Sequence, residues 1–107
     1  MKLHLKIIEA DNIPKMDLFG KADPFVTVHL SESKDSAKTN YIPKTYNPKW
    51  NAEMHLRVAS ISETVTIELK DHDPAGKVDL IGTIERSVKQ FPPGVITNEW
   101  ITVRRAK

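Results

Sequence analysis

Apolar and polar residues alternate with period two along much of the chain. Leu3, Leu5 and Ile7 alternate with Lys2, His4 and Lys6. Val26, Val28 and Leu30 alternate with Phe25, Thr27 and His29. Trp50, Ala52, Met54, Leu56 and Val58 alternate with Asn51, Glu53, His55 and Arg57, and Val65, Ile67 and Leu69 with Thr66, Glu68 and Lys70. Successive side chains of a strand point to opposite faces, so each run predicts a strand with one buried and one solvated face. Weaker strands are predicted at Lys38–Ile42, Leu80–Glu85 and Glu99–Arg104. Pro14, Gly20, Pro24, Pro43, Asn47-Pro48, Pro74, Gly76 and Pro92-Pro93-Gly94 punctuate the runs and break every candidate helix. About seven short strands at this spacing predict an all-β antiparallel sandwich.

The chain has 107 residues, which fits one domain over 1–107. At 39% hydrophobic and 28% charged residues it has the balance of an ordinary globular domain with a single core. No apolar run approaches the roughly 20 residues of a membrane-spanning helix, and Met1–Ala10 lacks the apolar stretch of a signal peptide. With no cysteine there is no disulfide frame and no thiolate metal site, which fits a cytoplasmic setting.

The net charge of +2 conceals an asymmetry. Asp17 and Asp23 share one predicted inter-strand loop; Asp71, Asp73 and Asp79 share another. Crowded carboxylates repel unless a cation neutralises them, and calcium takes six to eight oxygen ligands. No His pair or thiolate lies near enough in sequence to favour zinc. Asp is also a common turn former, which explains either group taken alone. The segment from Asp71 opens like an EF-hand loop, but Gly82 stands where a bidentate Glu is needed, and strands flank it.

Taken together, these loops and several ordered motifs resemble a C2 domain, as found in synaptotagmins and protein kinase C. Leu5–Pro14 is similar to the family's opening strand and turn, and Lys21-Ala22-Asp23-Pro24-Phe25-Val26 to its Asp-Pro-aromatic signature. Lys44-Thr45-Tyr46-Asn47-Pro48-Lys49-Trp50-Asn51, Asp79-Leu80-Ile81-Gly82 and Glu99-Trp100 resemble its later motifs. The resemblance implies two four-stranded sheets in a Greek key of type II topology. It implies about two calcium ions held by Asp17, Asp23, Asp71, Asp73 and Asp79, with the backbone carbonyls of Met16 and His72 as further ligands. Gly76 stands where relatives with a third ion often carry a hydroxyl, so no third tight ion is expected.

Two calcium ions would take the chain from +2 to +6 and turn an anion-repelling end into an anion-attracting one. The expected partner is an anionic phospholipid membrane, contacted by Leu18, Phe19 and Val78 at the loop tips and by Lys21 and Lys77 beside them. Cytoplasmic residence with recruitment to membranes as calcium rises is the implied behaviour, in signalling or membrane trafficking. The alternative is a calcium-regulated protein-interaction module without direct lipid binding. No nucleic-acid partner is expected, nor an enzyme: the chain has no nucleophile motif and no Gly-rich phosphate loop. Few lysines fall at Thr27, His29, Lys38 and Asn40, which argues against a dedicated phosphoinositide site. His4, His29 and His55 are expected to face outward, and Trp50 and Trp100 to pack in the core or on strands. After Val103 too few residues remain for a full eighth strand. That strand is expected to be displaced, absent, or part of a missing C-terminal extension; Met1 reads as a natural start, which favours the missing extension. The exposed edge could support a weak dimer; otherwise a monomer is expected.

Overall fold

The computed structural model describes residues 1–14, 21–73, 75–94 and 98–105. Its strands are β1 (Lys2–Glu9), β2 (Pro24–Leu30), β3 (Ser36–Lys38), β4 (Lys49–Arg57), β5 (Thr64–His72), β6 (Val78–Ser87) and β7 (Arg104–Arg105). A single 3-10 turn, η1 (Val88–Gln90), follows β6 and is closed by a capping box between Ser87 and Gln90.

All strand pairs are antiparallel and form two sheets. β1 and β4 form one, and the other has the order β3-β2-β5-β6-β7. The all-β antiparallel sandwich is therefore as expected, while the sheets hold two and five strands among the described residues, not four and four. The short β3 pairs with its hairpin neighbour β2, and only two residues near the C-terminus pair with β6. The segment expected as a strand over Glu99–Arg104 joins the ladder only at its end, and Trp100 is 69% exposed rather than packed.

The core is built from the inward faces of both sheets, as period-two alternation requires. Leu3, Met54 and Leu56 come from one sheet, and Val26, Val28, Leu30, Val65, Leu69 and Ile81 from the other. Residues between them on the same strands, such as His4, His29, Glu53, His55 and Arg57, are exposed. One register irregularity matters. Ile7 pairs with Ala52 but Glu9 with Lys49, so β4 carries one extra residue there. Asn51 accommodates the bulge with φ 48°, a left-handed conformation that Asn tolerates better than most residues. Trp50, half-buried beside it, packs against the core and donates its Nε1–H to the Pro24 carbonyl at 3.2 Å.

At one end of the sandwich a buried carboxylate gathers the loops. Glu63 is 0% exposed and accepts the backbone N–H groups of Glu32 and Ser33 at 2.7 Å each, and that of Ala59. Burial pushes its carboxyl up, but the N–H groups of Ser33, Ala59, Glu32 and Ser60 outweigh this and hold it below the usual range.

Candidate metal centre

Four of the five candidate aspartates, Asp23, Asp71, Asp73 and Asp79, are described, and they come from strand ends and from the loops that those ends launch. β5 runs two residues further than alternation predicts, so Asp71 and His72 are strand residues, and β6 begins at Val78. The segment from Asp71 to Asp79, expected to be a loop, is strand at both ends: Asp71-His72 close β5 and Val78-Asp79 open β6. Asp71 and Asp79 are Cα partners on adjacent strands, as are His72 and Val78. The described residues between the two strands are Asp73 and residues 75–77. There the Asp73 carboxylate accepts the Ala75 N–H at 2.8 Å, its backbone N–H donates to the Lys77 carbonyl at 2.9 Å, and Gly76 takes φ 94°. The turn-forming use of Asp is thus realised at Asp73.

Asp23 stands where β2 begins and is tied in three directions. Its N–H donates to Asp71 Oδ1 at 2.8 Å, and its carbonyl accepts the His72 N–H at 2.9 Å. Its own Oδ1 accepts the Lys44 N–H at 2.7 Å. Asp71 itself is buried. The loop before β4 is laced to the same end: Ile42 N–H bonds the Pro24 carbonyl and Thr45 N–H the Ala22 carbonyl.

At this end Tyr41 carried no signal in the sequence, and Lys44, though it opens a matching motif, carried no sign of its contact. Lys44 adopts φ 51°, which aims its N–H at the Asp23 carboxylate. Tyr41, 46% exposed, stacks its ring on His72 with centroids 4.2 Å apart and planes 10° from parallel. His72 therefore faces Tyr41, while its backbone carries the strand pairing. Neighbouring Lys44-Thr45 and Asn47-Pro48 hinted that this loop mattered, but nothing in the spacing pointed to Tyr41.

Lys77 is exposed, and Val78 is 50% exposed at the start of β6. Lys21 is exposed, with its Nζ 5.6 Å from the centre of the Tyr46 ring. Met16, Asp17, Leu18 and Phe19 lie outside the described residues. Among the described residues no three His, Cys, Asp or Glu side chains converge into a metal-holding group. What the structure brings together is the Asp23 N–H and the Asp71 carboxylate, with Asp79 opposite Asp71 on β6 and Asp73 in the turn. Carboxylate oxygens, as a ligand type, suit a hard cation and not a borderline one.

The comparisons agree with this reading of the fold. The family model for the C2 domain matches residues 1–103. Synaptotagmin-4 of Arabidopsis thaliana is 32% identical over 106 residues, 98% of this chain and 18% of its own length. Synaptotagmin-1 of Caenorhabditis elegans is 30% identical over 92% of this chain and 23% of its own length. Among solved structures, a C2 domain of a plant Extended Synaptotagmin 1 superposes with TM-score 0.77 at 33% identity, covering 83% of this chain and 70% of that one. Human GIVD cytosolic phospholipase A2 superposes at 0.80 with 25% identity, covering 88% of this chain and 14% of that one. The chain belongs to the C2 domain family. It spans about a fifth of the length of the two synaptotagmins.

Proposed function

We propose that this domain binds calcium and docks reversibly on anionic phospholipid membranes through its two aspartate-bearing loops. The observation that carries the reading is the direct Asp23–Asp71 contact, which ties the first Asp segment to the second at one end of a C2 domain. Asp17, Asp23, Asp71, Asp73 and Asp79 would hold about two ions, with the carbonyls of Met16 and His72 completing the set. Calcium, when bound, supplies positive charge and coordination positions for phosphate oxygens.

The rest of the work falls to the chain. Without the cation, clustered carboxylates repel phosphate headgroups; neutralised, they leave a basic domain facing an anionic surface. Lys21 and Lys77 meet headgroups at the rim. Leu18, Phe19 and Val78 add apolar contact, about 1.5–3 kcal/mol for each large side chain buried in lipid. Such a set of apolar tips supports reversible attachment and not anchoring. In the cell the domain would move from cytoplasm to membrane as calcium rises.

Calorimetric titration with calcium tests the first half of this reading. Asp71→Asn retains an acceptor for the Asp23 N–H while removing one charge. It should lower calcium affinity by about tenfold or more. Unchanged affinity would remove Asp71 from the site.

A further inference from the structure

The outward face of β1 and β4 carries two imidazoles on one rung. His4 and His55 are Cα partners, with ring centroids 4.3 Å apart and planes at 75°. Both side chains are exposed, and neither ring hydrogen-bonds a described residue. Val58 N–H donates to the Met1 carbonyl at 2.8 Å, which makes the odd-numbered rungs of β1 the hydrogen-bonded ones. His4–His55 therefore occupies a non-hydrogen-bonded rung, where facing side chains are closest.

Two imidazoles on one such rung, turned about their side-chain bonds from this edge-to-face contact, can direct a nitrogen each at one cation. Imidazole nitrogen is a borderline donor that suits zinc, copper and nickel and serves calcium or magnesium poorly. The flanking rungs sharpen the choice. Lys2 faces Arg57 on one side, and Lys6 faces Glu53 on the other, so the surroundings are net positive. A cation drawn by charge alone gains nothing here, whereas one held by nitrogen donors does.

We propose that His4 and His55 form a two-imidazole site for a borderline divalent cation of the zinc, copper(II) or nickel class. It is separate from the aspartate end and does not depend on the calcium reading. With two protein ligands the site is exchangeable, its other positions filled by water or an outside donor. A bound ion bridges β1 to β4, the one pairing of the two-stranded sheet, and so stabilises the fold by mass action.

Zinc chloride titrated into the whole chain, with calcium in excess to occupy the aspartate end, tests this. Imidazole resonances and thermal unfolding are followed in the wild type, in His4→Gln and His55→Gln, and in His29→Gln as control. Zinc should shift the His4 and His55 signals together, saturating at one equivalent. It should also raise the unfolding midpoint of the wild type and of His29→Gln by a few degrees, with both effects lost in His4→Gln and in His55→Gln. Persistence of either effect in both pair variants, movement of the His29 signal alone, or no response up to millimolar zinc would overturn the proposal. Both positions are solvent-facing, and a variant that failed to fold would show as lost unfolding cooperativity before any zinc was added.

Discussion

Asp23 and Glu63 show how the same chemistry serves two ends of the domain. Asp23 uses its N–H, its carbonyl and its carboxylate to join β5 and the loop before β4, so one residue sets the position of two segments. Glu63 commits its carboxylate to backbone N–H groups alone. Its folded-state pKa lies below the unfolded one, so it favours folding fully above the usual glutamate range. That contribution fades as the pH falls below the range. Glu63→Gln should lower the urea midpoint at neutral pH. From neutral pH to about pH 3 the wild type should lose more of its midpoint than the variant, which lacks this titration. Parallel midpoint-versus-pH curves would show that Glu63 is not the source. Its importance was not legible in the sequence, because Glu63 sits in a polar stretch and its donors come from residues up to 31 positions away.

At the scale of elements, alternation read β1, β2, β4 and β5 correctly, because each buries one face against the opposite sheet. It misjudged ends. β5 and β6 continue past their apolar runs because pairing carries Asp71 and Asp79 onto the ladder despite their charge. The final segment looked like a strand but, among the described residues, pairs only at Arg104 and Arg105. There Gly82 is decisive. A Cβ at this position would come within 2.5 Å of Val103 Cγ1 and 2.7 Å of the Arg104 carbonyl oxygen. Gly82→Ala should cost roughly 1–3 kcal/mol and release the C-terminal segment from β6. Hydrogen exchange would report this as faster exchange confined to that segment and β6; unchanged protection would contradict it. β3 ends in a similar dependence. Buried Thr39 accepts the Val26 N–H on its hydroxyl at 3.0 Å and donates that hydroxyl to the Asn40 carbonyl at 2.9 Å. Thr39→Val keeps the shape but orphans the Val26 N–H, for an expected loss of about 1–3 kcal/mol in a denaturant titration.

Across the whole molecule, the site reads as a property of topology more than of any single motif. The strand order places β2 beside β5 and β5 beside β6, so Asp23, Asp71 and Asp79 arrive at one end from three strands. Motif spacing named these aspartates because the family's pattern is short and ordered along the chain. It was silent on Tyr41 and named Lys44 without its role, because their contacts with His72 and Asp23 arise only after the sheets pack. The charge distribution has a further consequence. If a basic body docks on an anionic surface, raising salt from about 0.1 M to 1 M shortens the Debye length from about 10 Å to 3 Å and should weaken attachment. The attachment left at high salt measures the share that is not long-range Coulombic, apolar contact and phosphate coordination together. The most direct test of the central claim is co-sedimentation with vesicles of phosphatidylserine and phosphatidylcholine, and of phosphatidylcholine alone, in calcium and in chelator. Calcium-docking predicts pelleting with the anionic vesicles in calcium and release in chelator, with Asp73→Asn impaired. Pelleting that ignores calcium, or no pelleting with either vesicle, would contradict it.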